Sequence, residues 1–498
     1  MKQQEACLST AHPLATEAGM RIMRQGGNAV DAAIAVSFAL GVVEPYASGL
    51  GGGGVMLISK PESAADVLDY RETAPMSGII SESESGIPGF VRGMQVLHEQ
   101  YGELVWSELI EPAVQLAEEG YPANEAIVRQ LNKSSQLDPL LFPMFFPNGE
   151  TIKVGELIVQ PLLARTLRSI QLYGGDWFYE GELADRMVEK IEGFAKSDFH
   201  SYKVQHKKPI VAQYAGCEML TAPLPFGGVT LLQAIKMSEQ HRLHEYEPHS
   251  SMFYHIWGEC MAQCYKVRKE QLGDPDYIVV DVDELTKDET ITAWVEQMDV
   301  NQLSRQASLG DVANTTHFVI MDASGMCVSA THTIGGFFTT GLSIGGFFMN
   351  NQLRNFTEDE RSPNRPSPGK RPQSYVCPTI FRNEEQTLAI GAAGGKRIPL
   401  TLAMVIMRML KQGQSIEEAL AADRFFIDEG IMYSEAPLLD SIRAELEHIG
   451  YEVQHNPDAM FYGGVQALQL MHRSGKMVGA ADPRRGGGWL KEPVAVVR

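Results

Sequence analysis

Two stretches near the start of the chain carry apolar residues at helical spacing. The first, HPLATEAGMRIMRQGG, ends at Gly26 and Gly27, residues that favour the end of a helix. Asn28 can then cap a second helix, AVDAAIAVSFALGVV. Because this second helix is apolar nearly all round, we expect it to be buried between layers.

A glycine-rich stretch, SGLGGGGVMLIS, follows the second helix. Its residues Gly49, Gly51 and Gly54 satisfy the spacing G-x-G-x-x-G of dinucleotide-binding loops by count. That fingerprint follows a strand and opens a helix, whereas these glycines follow a helix and open a strand-like segment. We therefore predict a tight passage of the backbone beneath a site, and no dinucleotide site.

The pattern changes after Asn314, where strands follow one another in quick succession. In the first strand, residues 316, 318 and 320 face one way and residues 315, 317 and 319 face the other. A three-residue turn, ASG, with its glycine in the left-handed conformation, would pair Asp322 with Met326. In that register Thr315 lies directly opposite Thr333.

Helices are expected on both sides of these strands. Helical patterns dominate from Val91 to Ile170. A second hairpin, PTIFRNEEQTLAIGAAGG, precedes two more helices, one of which opens with the capping box SIEE. The Pro-rich stretch from Thr357 to Ser374 is typical of an irregular loop, which we place near the site. The sequence therefore predicts strands stacked between helical layers.

Composition and charge exclude several classes of partner. Of the 498 residues, 44 per cent are apolar and 21 per cent are charged, which is typical of globular proteins. The formal net charge of −20, without a long basic run, argues against binding to nucleic acid. No apolar run approaches the roughly 18 residues of a membrane span, and no signal-peptide pattern is present. We therefore expect a cytoplasmic protein with no membrane partner.

Cysteine and histidine give weak indications of a metal site. The six cysteines are thinly spread, which suits a reducing compartment. Cys260 and Cys264 lie one helical turn apart, but buried cysteine usually packs as a small apolar residue. The segment HRLHEYEPH offers His241, His244 and His249 as possible ligands of a metallohydrolase. Solvated histidines at a helix end are the commoner explanation, so we expect no metal and no cofactor.

The pair Thr315 and Thr316 at the start of a strand suggests a specific chemistry. A threonine hydroxyl is a poor nucleophile and needs a base. If the peptide bond after Asn314 were cut, Thr315 would carry an α-amine with an ordinary pKa of about 7.7 to 8.0, so nucleophile and base would belong to one residue. Taken alone, the motif is better explained by the β-propensity of threonine, and it is the wider sequence that favours the catalytic interpretation.

The chain resembles the gamma-glutamyltranspeptidase family from end to end. The resemblance rests on ordered blocks of sequence: GGNAVDAAIAVSFALGVVEP, GLGGGGVMLIS, YRETAP, GIPGFVRG, NTTHFVIMDASGMCVSATHT, MNNQ, GKRPQSYVCPTI, GAAGGKRI and GAADPRR. It implies an α+β fold, the four-layer αββα sandwich of the N-terminal nucleophile hydrolases. It also implies a precursor that cleaves itself into residues 1–314, a large subunit, and residues 315–498, a small subunit, which stay intertwined in one domain.

The resemblance also implies which residues perform the chemistry. Thr315 matches the nucleophile, and cleavage falls between Asn314 and Thr315. Thr333 matches a threonine that hydrogen-bonds to the nucleophile and orients it. The backbone N–H groups of Gly394 and Gly395 match the oxyanion hole of the family, a role that suits glycine because a side chain would block close approach.

The substrate-binding residues match the family only in part. Arg71 matches the arginine that holds the α-carboxylate of the glutamyl group, which a planar guanidinium can pair by two hydrogen bonds. Ser374 keeps the first of two serines that help to hold this carboxylate, whereas Tyr375 replaces the second. Recognition of the carboxylate is therefore expected to be kept.

Recognition of the substrate ammonium group is expected to be weaker. Where the family has an aspartate and an asparagine for this group, the chain has Asn355 and Gly335. Gln352 remains as a possible acceptor, but a neutral amide supplies less Coulomb attraction than an anion. The segment from Asn355 to Ser374 is also shorter than in relatives with a lid, so an open cleft is expected.

These observations favour an enzyme that hydrolyses or transfers γ-glutamyl groups from small glutathione-like amides through a threonyl acyl-enzyme. A close alternative keeps this machinery and acts on glutaryl or other amine-free acyl groups, as cephalosporin acylases do, or on poly-gamma-glutamate. A further alternative is a non-catalytic binding protein on the same scaffold that is never processed. The metallohydrolase alternative depends on the three histidines alone.

Overall fold

The computed structural model describes residues 4–61, 63–304 and 314–494. The strands, in chain order, are β1 Gln4–Thr10, β2 Gly53–Ser59, β3 Asp66–Asp69, β4 Tyr121–Pro122, β5 Leu157–Ile158, β6 Gln205–Lys207, β7 Ile210–Tyr214, β8 Cys217–Thr221, β9 Asn314–Met321, β10 Cys327–Gly335, β11 Ser343–Ile344, β12 Phe347–Phe348, β13 Thr379–Arg382, β14 Gln386–Ala393, β15 Phe425–Asp428, β16 Ile431–Ser434, β17 Glu452–His455, β18 Gly464–Met471, β19 Lys476–Ala481 and β20 Gly488–Val494.

Helices occupy much of the rest of the chain. They are α1 Pro13–Arg24, α2 Ala29–Val43, α3 Phe90–Tyr101, α4 Trp106–Glu119, α5 Glu125–Lys133, α6 Pro161–Tyr173, α7 Asp176–Glu180, α8 Glu182–Lys190, α9 Lys196–Ser201, α10 Gly228–Gln240, α11 Ser251–Gln271, α12 Val282–Thr286, α13 Asp288–Gln297, α14 Ile398–Leu410, α15 Ile416–Ala421 and α16 Asp440–Ile449. Among the helices of these described ranges, none is long and apolar enough to cross a membrane.

Two large antiparallel sheets form the centre of the fold. The first has the strand order β20-β1-β9-β10-β2-β3-β6, and the second has the order β19-β18-β14-β13-β8-β7. The sheets pack face to face, with β9 and β10 of the first sheet against β14 and β18 of the second. The catalytic candidates lie at this contact, since β9 begins and β14 ends there.

Helices cover the outer face of each sheet. One apolar core joins α1, α2 and α4 to the outward residues of the first sheet, such as Phe318 and Ile320. A second core contains the inward residues Val319 and Met321, the second sheet, and helices α10, α11 and α14. The predicted alternation of β9 is confirmed, and the layers form the expected αββα sandwich.

The two halves of the chain contribute to both sheets. In the first sheet β1, β2, β3 and β6 come before residue 314, whereas β9, β10 and β20 follow. In the second sheet β7 and β8 come before residue 314 and the other strands follow it. A cut between residues 314 and 315 would therefore leave each sheet held together by ladder hydrogen bonds between the two pieces.

The local predictions for the first hundred residues are confirmed. Every residue of α2 is buried, and Asn28 and Asp31 form a capping box at its start. The glycine stretch after α2 runs tightly past the site. A Cβ atom at Gly52 would lie 2.3 Å from the carbonyl oxygen of Thr333, and one at Gly51 would lie 2.2 Å from that of Phe348.

Later local predictions also match the structure. The second hairpin forms β13 and β14, and Ser415 caps α15 with Glu418. Between Asn355 and Thr379 the chain has neither helix nor strand, as expected for the Pro-rich loop. The six cysteines are buried and unbridged.

Two histidines are buried next to the strand contact. The ring of His317 hydrogen-bonds to Thr331 at 2.8 Å, and that of His332 to the Tyr70 hydroxyl at 2.7 Å. Burial lowers the pKa of His332 from 6.5 to about 3, and burial followed by the charge of His332 does the same for His317. Both rings are therefore neutral in the folded protein at neutral pH.

This burial predicts a loss of stability in mild acid. The unfolded chain binds a proton at each ring near pH 6.5 and the folded chain does not, so the free energy of unfolding falls as pH decreases from 6.5 towards 3. Each histidine accounts for about 2 kcal/mol between pH 7 and pH 5. Urea unfolding should show that, between pH 7 and pH 5, the free energy of unfolding of the His332→Gln variant falls by about 2 kcal/mol less than that of the parent protein.

The matched control for this measurement is Tyr70→Phe. It removes the same hydrogen bond but keeps the ring of His332, so the steeper pH dependence should remain. An equal pH dependence in His332→Gln and the parent protein would contradict the assignment.

Candidate active site

Thr315 lies at the contact between the two sheets. It is the second residue of β9 and is almost fully buried, with 3 % of its surface exposed. Its hydroxyl accepts a hydrogen bond of 3.0 Å from the backbone N–H of Gly394. The hydroxyl is therefore held by a fixed main-chain donor from the opposite sheet.

The donor position requires glycine. Gly394 has φ +145°, which other residues rarely adopt, and a Cβ atom there would lie 2.9 Å from the Cα of Gly463. Gly395 follows at φ +59° and opens the short 3₁₀ segment Gly395–Arg397. Of the two predicted donors, Gly394 is the one that contacts Thr315 within the described residues.

Thr333 lies beside the peptide bond between Asn314 and Thr315. Its hydroxyl donates a hydrogen bond of 2.7 Å to the carbonyl oxygen of Asn314 and accepts one of 3.0 Å from the N–H of Gly335. In the uncut chain, therefore, Thr333 contacts the carbonyl that precedes Thr315 and not the Thr315 hydroxyl.

The predicted register of the β9–β10 hairpin is confirmed except at the end next to the site. The turn closes with a hydrogen bond between Asp322 and Met326, and the ladder runs in the predicted register as far as the pair Thr316 and His332. The expected pair of Thr315 with Thr333 is not formed, because a bulge follows His332 and the next pair is Asn314 with Gly335. The extra residue re-aims Thr333 at the Asn314 carbonyl.

A buried hydrogen-bond network connects Arg71 to Thr333. The Arg71 Nη2 donates to Gln352 Oε1 at 2.8 Å, and Gln352 Nε2 donates to the Thr333 hydroxyl at 2.9 Å. Asn355 Nδ2 donates to the same Gln352 oxygen at 2.9 Å. Three of the predicted substrate-binding residues are thus brought together, next to one of the predicted catalytic residues.

This network changes the expectation for Gln352. An amide oxygen has two lone pairs, and Arg71 and Asn355 occupy both. Gln352 is therefore not a free acceptor for a substrate ammonium group in this arrangement, contrary to the expectation from the sequence.

Arg71 is fully buried beside a carboxylate. Its Nε donates to Glu72 at 2.8 Å, and both side chains are 0 % exposed. Burial raises the pKa of Glu72, although the charge and hydrogen bond of Arg71 act in the opposite direction. Arg71 Nη1 has no hydrogen-bond partner in the part of the chain that the structure describes. This nitrogen is thus the part of the guanidinium that the described protein groups leave unpaired.

Ser374 and Tyr375 contact other parts of the chain. The Ser374 hydroxyl accepts a hydrogen bond from the N–H of Val376. The Tyr375 ring packs edge-on against Tyr265 and lies 4.2 Å from the guanidinium carbon of Arg268. These contacts tie Ser374 to Val376, and Tyr375 to Tyr265 and Arg268.

The glycine at position 335 has a steric cause. Gly335 has φ +111°, and a Cβ atom there would lie 1.9 Å from Oδ1 of Asn351. That oxygen accepts a hydrogen bond of 3.0 Å from the N–H of Gly336. An asparagine side chain at position 335 would displace Asn351, so this chain cannot supply that polar group without a rearrangement.

Arg485 is a site residue that the sequence did not single out. Its Nη1 donates to Oδ1 of Asn314 at 2.8 Å and to the carbonyl oxygen of Thr315 at 3.3 Å. Nearby, Glu44 accepts hydrogen bonds from the hydroxyls of Thr316 at 2.6 Å and Tyr46 at 2.9 Å. Arg485 lies 171 positions from Asn314, so no local pattern could reveal the contact.

A cleft of about 540 Å³ reaches the site from the surface. Gly394 and Arg485 line it together with polar, aromatic and basic side chains, among them Phe461, Arg397 and Arg354. Its walls come from both sides of residue 314, and it is large enough for an amide of modest size.

The histidines of HRLHEYEPH do not meet. His241 contacts the sulfur of Met298 at 3.4 Å, His249 hydrogen-bonds to the Tyr254 hydroxyl at 2.8 Å, and His244 lies 3.5 Å from Glu245. Within residues 4–61, 63–304 and 314–494, no group of three or more His, Cys, Asp or Glu is placed to hold a metal ion.

Comparison with known proteins gives a consistent relationship over the whole chain. The chain is 38 % identical over 486 residues to the capsule biosynthesis protein CapD proenzyme of Bacillus anthracis, covering 97 % of this chain and 90 % of the relative. It is 30 % identical over 533 residues to the glutathione hydrolase proenzyme of Escherichia coli strain K12, covering 97 % and 91 %.

A solved structure shows the same fold. The cephalosporin acylase from Bacillus halodurans superimposes with a TM-score of 0.86 at 26 % identity, covering 98 % of this chain and 96 % of that one. The family model described as gamma-glutamyltranspeptidase matches residues 15–491. This chain is therefore an enzyme of the gamma-glutamyltranspeptidase family.

Proposed function

We propose that the chain cleaves itself before Thr315 and then uses this threonine to hydrolyse or transfer γ-glutamyl groups from amides. One observation carries the proposal: the Thr315 hydroxyl meets the Gly394 N–H at 3.0 Å, and the Asn314 carbonyl meets the Thr333 hydroxyl at 2.7 Å. A nucleophile and a hydrogen-bond donor to the carbonyl under attack thus lie on either side of one peptide bond.

In self-cleavage, the Thr315 hydroxyl oxygen attacks the carbonyl carbon of Asn314. The C–O bond forms, the C–N bond breaks, and the hydroxyl proton goes to the leaving nitrogen, which becomes the α-amine of Thr315. Thr333 donates to the oxygen on which negative charge develops. Water then opens the ester, leaving a carboxylate on Asn314 and restoring the hydroxyl of Thr315.

In the mature enzyme, the new α-amine takes the proton from its own hydroxyl. The hydroxyl attacks the substrate amide, the amine leaves with a proton, and an acyl-enzyme remains for water or another amine. The N–H groups of Gly394 and Gly395 stabilise the oxyanion. Donors of this kind contribute roughly 3 to 4 kcal/mol to transition-state stabilisation.

The acyl group is expected to carry a carboxylate that Arg71 binds. The unpartnered Nη1 of this buried guanidinium supports that role, because a charge-assisted hydrogen bond in a buried site is strong.

A second candidate acyl group keeps the carboxylate and lacks a free ammonium. It is favoured by the engaged oxygen of Gln352 and by Gly335 and Asn355, which place no carboxylate at the amine end. Glutaryl groups have this form. So do internal residues of poly-gamma-glutamate, whose nitrogen is an uncharged amide. Two of the similar proteins, a capsule biosynthesis protein and a cephalosporin acylase, carry names other than glutathione hydrolase.

The first prediction concerns processing. The purified parent protein should give two bands on a denaturing gel, whereas Thr315→Ala, which lacks the nucleophile, should give one full-length band. Thr316→Ser is the matched control, because it keeps a hydroxyl for Glu44, and it should still give two bands. Two bands of the same sizes from Thr315→Ala would refute self-cleavage by this residue, and a single band from the parent would favour an unprocessed binding protein.

The second prediction concerns the acyl group. Initial rates are measured on γ-glutamyl, glutaryl and butyryl anilides, which differ only in the amine and carboxylate. We expect kcat/KM for the glutaryl and γ-glutamyl anilides to agree within about tenfold, a difference of about 1.4 kcal/mol. The butyryl anilide should be slower by about 100-fold, since it lacks the partner of Arg71.

Arg71→Met is the matched variant for these substrates. In this variant, kcat/KM for the glutaryl anilide should fall to that for the butyryl anilide, because the partner of the carboxylate is lost. A γ-glutamyl preference far above tenfold would show that the ammonium group is read after all and would exclude the second candidate.

A further inference from the structure

Arg485 contacts the chain on both sides of the peptide bond between Asn314 and Thr315. The same nitrogen, Nη1, lies 2.8 Å from the side-chain oxygen of Asn314 and 3.3 Å from the carbonyl oxygen of Thr315. These two oxygens flank the carbonyl carbon that the proposed self-cleavage attacks. A single guanidinium thus restrains both residues of this bond.

The guanidinium is enclosed by the protein. Arg485 is 7 % exposed, and its Nε has no partner among the described residues. Its stem passes close to Gly464, where a Cβ atom would lie 2.7 Å from the Cδ of Arg485. Glu44, buried nearby, fixes Thr316 at 2.6 Å, and its charge interacts with that of Arg485. Residues 314, 315 and 316 are therefore all restrained by this arginine and this glutamate.

Arg485 comes from the far end of the chain. It ends the short 3₁₀ segment Pro483–Arg485, which Asp482 caps. Asp482 also accepts a hydrogen bond from the N–H of Val465 at 2.9 Å and pairs with Arg424. The arginine can reach Asn314 only when β18, β19 and this segment are in place.

We propose that Arg485 is a positioning residue for self-cleavage. Because Arg485 lies in the C-terminal segment, self-cleavage then depends on the folding of that segment. This inference rests on the proposed function. The guanidinium holds the Asn314 side chain and the Thr315 carbonyl so that the hydroxyl of Thr315 faces the carbonyl carbon of Asn314. It exchanges no proton in the reaction, and the bonds formed and broken are those of the self-cleavage described above.

The test follows the rate of cleavage of the full-length chain made by cell-free translation, on denaturing gels. Arg485→Ala should cleave at least about tenfold more slowly than the parent, because two charge-assisted contacts are lost. Arg485→Lys, which keeps the charge but not the planar fork, should fall between the two. Arg473→Ala is the matched control, since that side chain is 87 % exposed in the turn between β18 and β19, and it should cleave at the parent rate.

Chemical rescue separates positioning from a general loss of structure. Methylguanidinium at a concentration that does not unfold the parent should speed cleavage of Arg485→Ala severalfold. It should do nothing for Thr315→Ala, which lacks the nucleophile. A variant that is slow because it folds poorly would not respond.

A double-mutant cycle with Asn314 supplies the second measurement. Asn314→Ala should itself slow cleavage, and in that background the further effect of Arg485→Ala should be several times smaller than in the parent. Should Arg485→Ala not fold, the same comparison with Arg485→Lys decides the question.

The outcomes distinguish this inference from the proposed function. If the parent never cleaves, or if Thr315→Ala cleaves, the proposed function fails and the inference fails with it. If the parent cleaves and the folded Arg485→Ala variant cleaves at the same rate, the inference alone is overturned. The inference would also be overturned if Arg485→Ala slowed cleavage equally in the parent and in Asn314→Ala, and methylguanidinium did not restore the rate.

Discussion

The site depends on how closely the second sheet approaches Thr315, near the start of β9. Two glycines, Gly391 in β14 and Gly394 directly after this strand, keep the region free of side chains. A Cβ atom at Gly391 would lie 2.1 Å from the ring of His317, and one at Gly394 would collide with Gly463. With both side chains absent, the N–H of Gly394 comes within 3.0 Å of the Thr315 hydroxyl. Any substituent on β14 that separates the sheets here would remove the donor from the nucleophile.

The same region links substrate binding to the scissile carbonyl by hydrogen bonds. Arg71 donates to Gln352, Gln352 to Thr333, and Thr333 to the carbonyl oxygen of Asn314. Only Gln352 and Thr333 therefore separate the Arg71 guanidinium from the carbonyl oxygen of Asn314, the group that self-cleavage attacks. Because both sheets contain strands from either side of residue 314, a cut there can release a reactive amine without dismantling the groups that surround it.

Much of this arrangement was visible in the sequence, because it depends on local pattern. Alternation in β9, the capping box at Asn28 and the turn from Asp322 to Met326 are short-range features with distinct signatures. The bulge after His332 could not be predicted in this way. The strand alternation continues through it, and only contacts with distant parts of the chain determine where it lies. Likewise, the hydrogen bond that Gln352 accepts from Arg71 and the contact of Arg485 with Asn314 join residues that are far apart in sequence.

The most direct test of this account is the intact mass of the purified, active protein. We expect two polypeptides whose masses place the break between Asn314 and Thr315, with the smaller one beginning Thr-Thr-His. Catalytic activity from a chain with the full-length mass, or from fragments divided at another bond, would contradict the claim that Thr315 acts through its own freed amine.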